Sequence, residues 1–565
     1  MRNHYGNVKV LLNLSKMKPT DQQNLILDYD GNSVVIAAPG SGKTFVLSQK
    51  IKRNLKTLLD HQGVIAISYT NKASNELRNR SLSNGEKPLS SFFGTIDKFN
   101  LSEIIIPFAK HLFGIPKNDI KIIKYSSLPN DEKDNLEWVD RALTLEQLDN
   151  DKINGIKEYF DKGLILIEII GVFADYVFSK SIACQKYIKA KYKYVYIDEY
   201  QDSGYEQHQI FKKINELGIF AIAVGDLNQS IYAFSGKDSK YLKDLTDDDA
   251  FKYFKLDKNH RCHPSIINYS NYFLNPKTEL IPVDSNQIYF SRVNGDEISI
   301  ANWIDEKINS IQKIFKVKNR NKIALLTRGK RTAEILNAHL KTPHRLFVSN
   351  ELDLNLNIWS AIFSNLLYFV FDRGFKFIDV IEVFSSYDNF SSIDLKKLNV
   401  CKKNIEQLSS EKPIDKEGLK LEFIKIAKII APNLVSNESV ELLDSVLNNS
   451  IELNSYQTAN ENEINILTLH KSKGIEYDVI IHLDLYEWVF PNKRPGANND
   501  FNNPVFGDWN QDLNLHYVGL TRARKGCILM SSTERHNNKM IKRQGKNSEF
   551  ISLNGIEKLR YVSKK

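Results

Sequence analysis

Eight residues, AAPGSGKT at 37–44, restrict the fold of this chain more than any other stretch. They follow a short apolar run rich in β-branched residues, SVVIA (33–37), and precede FVLSQKIKRNLKTLL (45–59), whose apolar residues recur at helical spacing. A strand that ends in a glycine-rich turn and restarts as a helix is a P-loop, here with Ala37 where glycine is commoner. Ala38, Pro39, Gly40, Ser41 and Gly42 form the turn; its glycines let backbone N–H groups close around phosphate oxygens at the positive end of the helix. Lys43 is then placed to neutralise the β- and γ-phosphates of ATP, and the Thr44 hydroxyl to ligate Mg²⁺.

Similar apolar runs recur, each closed by a Gly, Asp or Thr: VIAISYT (64–70), YVYID (194–198) and FAIAVGD (220–226), then KIALLTR (322–328), DVIIHLDL (478–485) and GCILMSS (526–532). Unbroken apolar runs of this length suit strands covered on both faces of a parallel sheet. The expected class is α/β, with two sheets because the runs fall into two separated sets. Two intervals, 101–190 and 350–459, read instead as mostly helical and more charged, and are expected to be insertions. The first lobe is accordingly expected over 1–100 and 191–254, the second over 255–349 and 460–565.

Hydrophobic residues make up 42% of the 565 and charged residues 26%, enough apolar material for several cores. The net charge of +9 suits a nucleic-acid phosphate partner and equally a lysine-rich solvated surface. Cys184, Cys262, Cys401 and Cys527 stand singly, which argues against a zinc ribbon or an iron–sulfur cluster and for a reducing compartment. The opening 20 residues hold no apolar segment of signal-peptide length. The most apolar run, GLILIEIIGVFADYVF (163–178), is broken by Glu168 and Asp175 and reads as a buried helix. A cytoplasmic protein is expected.

Asp198 and Glu199 close the second run, in YVYIDEYQDS (194–203). In a chain with a P-loop, such a pair divides the chemistry: Asp198 holds Mg²⁺ through water, and Glu199 takes the proton of the attacking water.

Asp-Glu-Tyr-Gln-Asp at 198–202 resembles motif II of the UvrD/Rep helicases of superfamily 1. Other segments resemble the rest of that set in the same order. They are TDQQNLI (20–26), ISYTNKASNEL (67–77), FFGTIDKF (92–99, with Asp97 in place of the usual histidine), GDLNQSIYAFSG (225–236), NHRCHPSI (259–266), TLHKSKGIEYD (468–478) and YVGLTRAR (517–524). The resemblance implies two RecA-like lobes, each carrying a helical insertion, the second one reduced. It implies an ATP-dependent 3′-to-5′ helicase or translocase acting on single-stranded or tailed DNA.

Roles follow by motif position. Gln22 reads the adenine edge, His260 replaces an adenine-stacking tyrosine, and Glu476 approaches the ribose. Gln229 contacts the γ-phosphate or attacking water, and Arg261 and Arg522 bring positive charge from the facing lobe. Thr70 and Asn71 face the DNA backbone, Thr468 and His470 face DNA or the lobe interface, and Phe234 offers a ring to a nucleobase. Tyr232 reads as a core aromatic, and Ser235 stands where the family usually has arginine. Read alone, His470 is equally a structural histidine, and each arginine a solvated one.

SFFGTIDKFNLSEIIIPFAKHLFG (91–114) and KYKYVYIDEYQDS (191–203) further resemble the helicase-like subunit of the Gabija anti-phage defence system. That branch of the family implies a partner, an OLD-family nuclease carrying ATPase and TOPRIM domains. Two other readings stay open: a subunit that senses nucleotide and DNA ends for a nuclease with little unwinding, and a stand-alone repair helicase. The basic run RHNNKMIKRQGK (535–546) reads as a solvated loop.

Overall fold

The computed structural model describes residues 18–562 except 70, 84, 119, 126–127, 134–135, 140–142, 232–235, 348, 356, 373–374, 382–389, 433–434 and 538. The first sheet is built from β1 (Ser33–Ala37), β2 (Gly63–Ile67) and β3 (Phe92–Gly94). A parallel pair, β4 (Lys121–Ile123) and β5 (Leu164–Leu166), lies apart, and the sheet resumes with β6 (Tyr192–Ile197), β7 (Phe220–Gly225) and β8 (Lys252–Leu256). The order is β3-β2-β6-β7-β1-β8, every neighbour parallel. Valine and isoleucine at the buried positions of β1 and β2 pack helices on both faces, as a parallel sheet requires. The consequence for the site is direct. β6, β7 and β1 are neighbours, so the residues just past their carboxyl ends share one crevice.

The second sheet takes β9 (Ile288–Val293), β10 (Ile323–Thr327), β11 (His344–Phe347), β12 (Ile464–Thr468) and β13 (Tyr477–His482). After a two-stranded ribbon, β14 (Lys493–Gly496) and β15 (Asp500–Phe506), comes the long β16 (Ala523–Ser532). A hairpin, β17 (Glu534–His536) and β18 (Lys542–Gln544), separates it from the short β19 (Tyr561–Val562). Its order, β11-β12-β10-β13-β16-β9-β19, is again parallel throughout. The protein is thus α/β, with two parallel-sheet lobes of RecA-like type. The last strand of the first lobe runs to Leu256, past residue 254.

The insertions differ in how they are held. The first, with helices Asn150–Asp161, Ile170–Lys180 and Ile182–Lys191, shares one buried cluster with the first sheet, from Val195 and Ala221 to Phe160 and Phe173. The second has a core of its own, around Trp359, Phe363, Phe423 and Tyr456 on helices Ile358–Phe371 and Lys416–Ile430 and the segment after them.

Two local expectations are corrected. The run 163–178 is not one helix: β5 pairs with β4, a 3-10 turn covers Ile167–Ile169, and the helix begins at Ile170. Gly163, at φ 76°, sets the chain up for the strand, and cross-strand pairing overrides the helical pattern. The basic run at the C-terminal side is likewise no open loop, because β17 and β18 pair antiparallel through it. Among the described residues no helix is long and apolar enough to cross a membrane. The four cysteines are free and buried.

One glycine reports on the packing of the second lobe. At Gly526, in β16, an added Cβ would lie 1.9 Å from Cε1 of the buried Phe315 ring. Gly526→Ala should therefore destabilise by about 1–3 kcal/mol, the usual range for overpacking a core. A melting temperature equal to that of the wild type would show that Phe315 has room to turn aside.

Candidate functional site

The phosphate loop is shaped by two left-handed glycines, Gly40 at φ 71° and Gly42 at φ 87°. Neither position has room for a side chain. A Cβ on Gly40 would meet Arg261 Cβ and Asn259 Oδ1 at 2.6 Å, and one on Gly42 would meet Gln23 Nε2 at 2.8 Å. Gly42 is the N-cap of the helix Lys43–Leu55, so the loop's amides gather at a positive helix end. Ser41 Oγ donates to the carbonyl of Ala38 (2.7 Å), and Gln23 Nε2 to that of Ser41 (3.0 Å).

Gln23 belongs to the helix Asp21–Asp28, which opens on a capping box with Thr20. The far end of that helix is held by the buried Lys50, whose Nζ donates to the carbonyls of Ile26 (3.0 Å) and Tyr29 (2.5 Å). The neighbouring Gln22 reaches the segment just past β8, with its Nε2 on Asp257 Oδ1 at 2.8 Å. His260 is exposed, and its backbone N–H donates to the Gly40 carbonyl at 2.9 Å.

The acids arrive from the ends of β6 and β7. Lys43 Nζ lies 3.3 Å from Glu199 Oε2, and Thr44 Oγ1 lies 3.3 Å from Asp198 Oδ2. Glu199 has φ 55°, an uncommon conformation for a side-chain-bearing residue, and turns the carboxylate back towards the loop. The fully buried Gln201 joins two strand ends: its Nε2 donates to Glu199 (2.7 Å) and its Oε1 accepts from the Asp226 amide (2.9 Å). Asp226 in turn accepts from Gln229 Nε2 at 2.8 Å.

Burial, then the adjacent Glu199, pushes the Asp198 carboxyl up to about 7. Glu199 goes the other way: burial works against it, but Lys43 and Lys473 hold its carboxyl down at about 2. Lys43 stays firmly protonated, because Glu199, Asp226 and Asp198 together outweigh the cost of burying it.

Thr44 and Asp198 offer a hydroxyl and a carboxylate, hard oxygen donors that suit Mg²⁺ together with phosphate oxygens and water. Among the described residues no group of three or more His, Cys, Asp or Glu side chains is arranged to hold a metal. Residues and ion fit.

The second lobe contributes cations. Arg522, which joins the helix Trp509–Leu520 to β16, is 3% exposed and donates from Nη2 to Gln229 Oε1 at 3.2 Å. Burial first, then the nearby Arg261, lowers its pKa to about 10, which leaves it charged at neutral pH. Arg261 pairs with Glu476 at 2.7 Å, and Arg524 reaches the same carboxylate at 3.4 Å. Nη1 of Arg261 is buried with no hydrogen-bond partner among the described residues. An orphaned guanidinium nitrogen, a second buried arginine and Lys43 together make a place for an anion that forks across both lobes.

Other sequence-derived residues lie elsewhere. Thr468 lies at the carboxyl end of β12, whereas Glu476 and Arg522 lie just before the amino ends of the parallel strands β13 and β16. His470 opens the following 3-10 turn; burial, then Arg328 and Lys473, lower its pKa to about 4, so it is neutral at pH 7. Asn71 begins the helix Asn71–Ser81. Thr70 and Phe234, with Tyr232 and Ser235, lie outside the described residues, as does the side chain of Asn71. The motif reading passed over Gln23, Gln201, Asp226 and Lys473. Asp226 had a visible signal, an acid at the end of a buried-looking strand. Gln23 and Lys473 are polar residues whose partners lie on distant segments, and Gln201 reaches both its neighbour Glu199 and the distant Asp226.

A P-loop on one parallel-sheet lobe, acids at adjacent strand ends and arginines from a second such lobe define a two-lobed P-loop ATPase. Residues 18–162 and 117–250 match the family model of the UvrD/REP helicase N-terminal domain, and residues 375–534 that of the UvrD-like helicase C-terminal domain. The chain belongs to the UvrD/REP helicase family and is an ATP-hydrolysing DNA helicase. It is similar to the Gabija protein GajB of Bacillus cereus (strain VD045), 26% identical over 533 residues, covering 90% of this chain and 95% of that protein. It is also similar to a probable DNA helicase II homolog of Rickettsia conorii (22% identical, 91% of this chain, 92% of the relative). The ATP-dependent DNA helicase PcrA of Staphylococcus aureus (strain Mu50) is 20% identical over 91% of this chain and 83% of its own.

Proposed function

We propose that this helicase is a 3′-to-5′ motor on single-stranded DNA that works with an OLD-family nuclease in defence against phage. The observation that carries the motor reading is Gln229, which bonds Asp226 in its own lobe and Arg522 in the other. A side chain that senses the γ-phosphate from there is tied to the relative position of the lobes.

In this reading Lys43 exchanges Glu199 for phosphate oxygens when ATP enters, which frees Glu199 to accept the proton of the attacking water. Ala37 to Gly42 cradle the phosphates with backbone amides. Thr44 and Asp198 hold Mg²⁺, which neutralises phosphate charge when bound. Gln229 orients the water, and Arg261 and Arg522 meet the charge that builds on the γ-phosphate. Gln22, His260 and Glu476 surround the nucleoside, and Thr70, Asn71, Phe234, Thr468 and His470 serve DNA.

The anti-phage role rests on the likeness to the Gabija protein GajB over nearly the whole of both chains.

ATP turnover by the purified chain, with and without single-stranded DNA, tests the motor reading. Strong stimulation supports it. ATP binding without stimulation would favour a subunit that senses nucleotide for its nuclease. Gln22→Ala should cut the preference for ATP over GTP by about 3- to 10-fold, the worth of one hydrogen bond. An unchanged ATP-to-GTP ratio of kcat/KM would remove Gln22 from the adenine site.

A further inference from the structure

Three successive main-chain carbonyls of the first lobe are held by side chains of the second. Gln229 O accepts from Lys473 Nζ at 2.8 Å, Ser230 O from Asn514 Nδ2 at 3.0 Å, and Ile231 O from Gln511 Nε2 at 3.1 Å. Lys473 also binds Asp202 at 2.6 Å. The Ile231 side chain is fully buried, and the cluster it joins is that of the second lobe, with Tyr269, Leu515 and Val518. By backbone connection these residues follow β7 of the first lobe, and by packing they belong to the second.

Gln511 and Asn514 are three residues apart on the helix Trp509–Leu520, on one face, and that helix leads straight into Arg522. A buried carbonyl without a donor is costly, so a lobe movement that pulled the helix away would orphan two carbonyls at once. The segment is better served by moving with the helix.

We propose that Gln511 and Asn514 are positioning residues that make 230–231 travel with the second lobe. The segment that carries Gln229 is thereby tied to the position of the second lobe. The proposal rests on the motor reading above and names the residues that transmit its coupling.

The test is the double variant Gln511→Glu/Asn514→Asp, which keeps shape but replaces both amide donors with acceptors, alongside Gln511→Ala/Asn514→Ala, which adds no charge. ATP turnover is measured without DNA and with a saturating oligo-dT strand. Both variants should keep DNA-free kcat and the KM for ATP within about twofold while stimulation by DNA falls at least about fivefold, the lower end of ordinary coupling between two sites. Wild-type stimulation in either variant overturns the proposal. So does a parallel fall of both rates with the melting temperature, which would make the two residues merely structural. A wild-type chain that DNA does not stimulate would fail the motor reading itself, and the clamp with it.

Discussion

Lys43→Ala should lower ATP turnover by at least about 10²–10³-fold, the loss seen when a preorganised donor to developing charge is removed. The ammonium belongs to the first residue of the helix that follows the phosphate loop, and it lies 3.3 Å from Glu199 in a pocket that leaves it 10% exposed. With the methyl group of alanine there, the γ-phosphate would face Glu199, Asp198 and Asp226 without a cation from its own lobe. Arg261 and Arg522 come from the other lobe and cannot take its place. Single-turnover hydrolysis of radiolabelled ATP, checked against an unchanged melting temperature, measures the effect. Turnover near the wild-type rate would remove Lys43 from the site.

Glu199→Gln should slow hydrolysis by about 10²–10⁴-fold, the range for loss of a general base, and leave ATP affinity within a few-fold. The amide keeps the shape, the left-handed backbone and a partner for Gln201, but it cannot accept a proton. Burial and the crowding of Asp198 by Glu199 hold the Asp198 carboxyl up, so neutralising position 199 should ease Asp198 towards ionisation. Loss of binding is therefore not expected. Equilibrium binding of a fluorescent ATP analogue, set beside kcat, separates the two effects. An affinity that falls as far as the rate would make Glu199 a binding residue.

The phosphate loop was legible because it is contiguous: two glycines, a lysine and a threonine between an apolar run and a helix carry their own geometry. Asp198 and Glu199 were legible for the same reason, a strand end marked by acids. That Asp198, Asp226 and the loop share one crevice follows from the strand order, in which β7 lies between β6 and β1. No local pattern contains that order. Short strands such as β3, β11 and β19 were hidden too, since two to four residues carry too little periodicity to stand out from loops.

Sequence alone thus set out a glycine-rich loop between strand and helix, an Asp-Glu pair at a strand end, an α/β frame in two lobes, and by resemblance the helicase family. Only the tertiary structure decided how the lobes are joined. Lys473, Gln511 and Asn514 are ordinary polar residues in their own segments, and nothing in those segments says what they hold. Their partners lie on remote parts of the chain, for Lys473 and Asn514 the carbonyls of Gln229 and Ser230. A main-chain carbonyl is present at every residue and leaves no trace in the residue types. Backbone-to-side-chain contacts of that kind are written in the fold, where distance in the chain no longer counts.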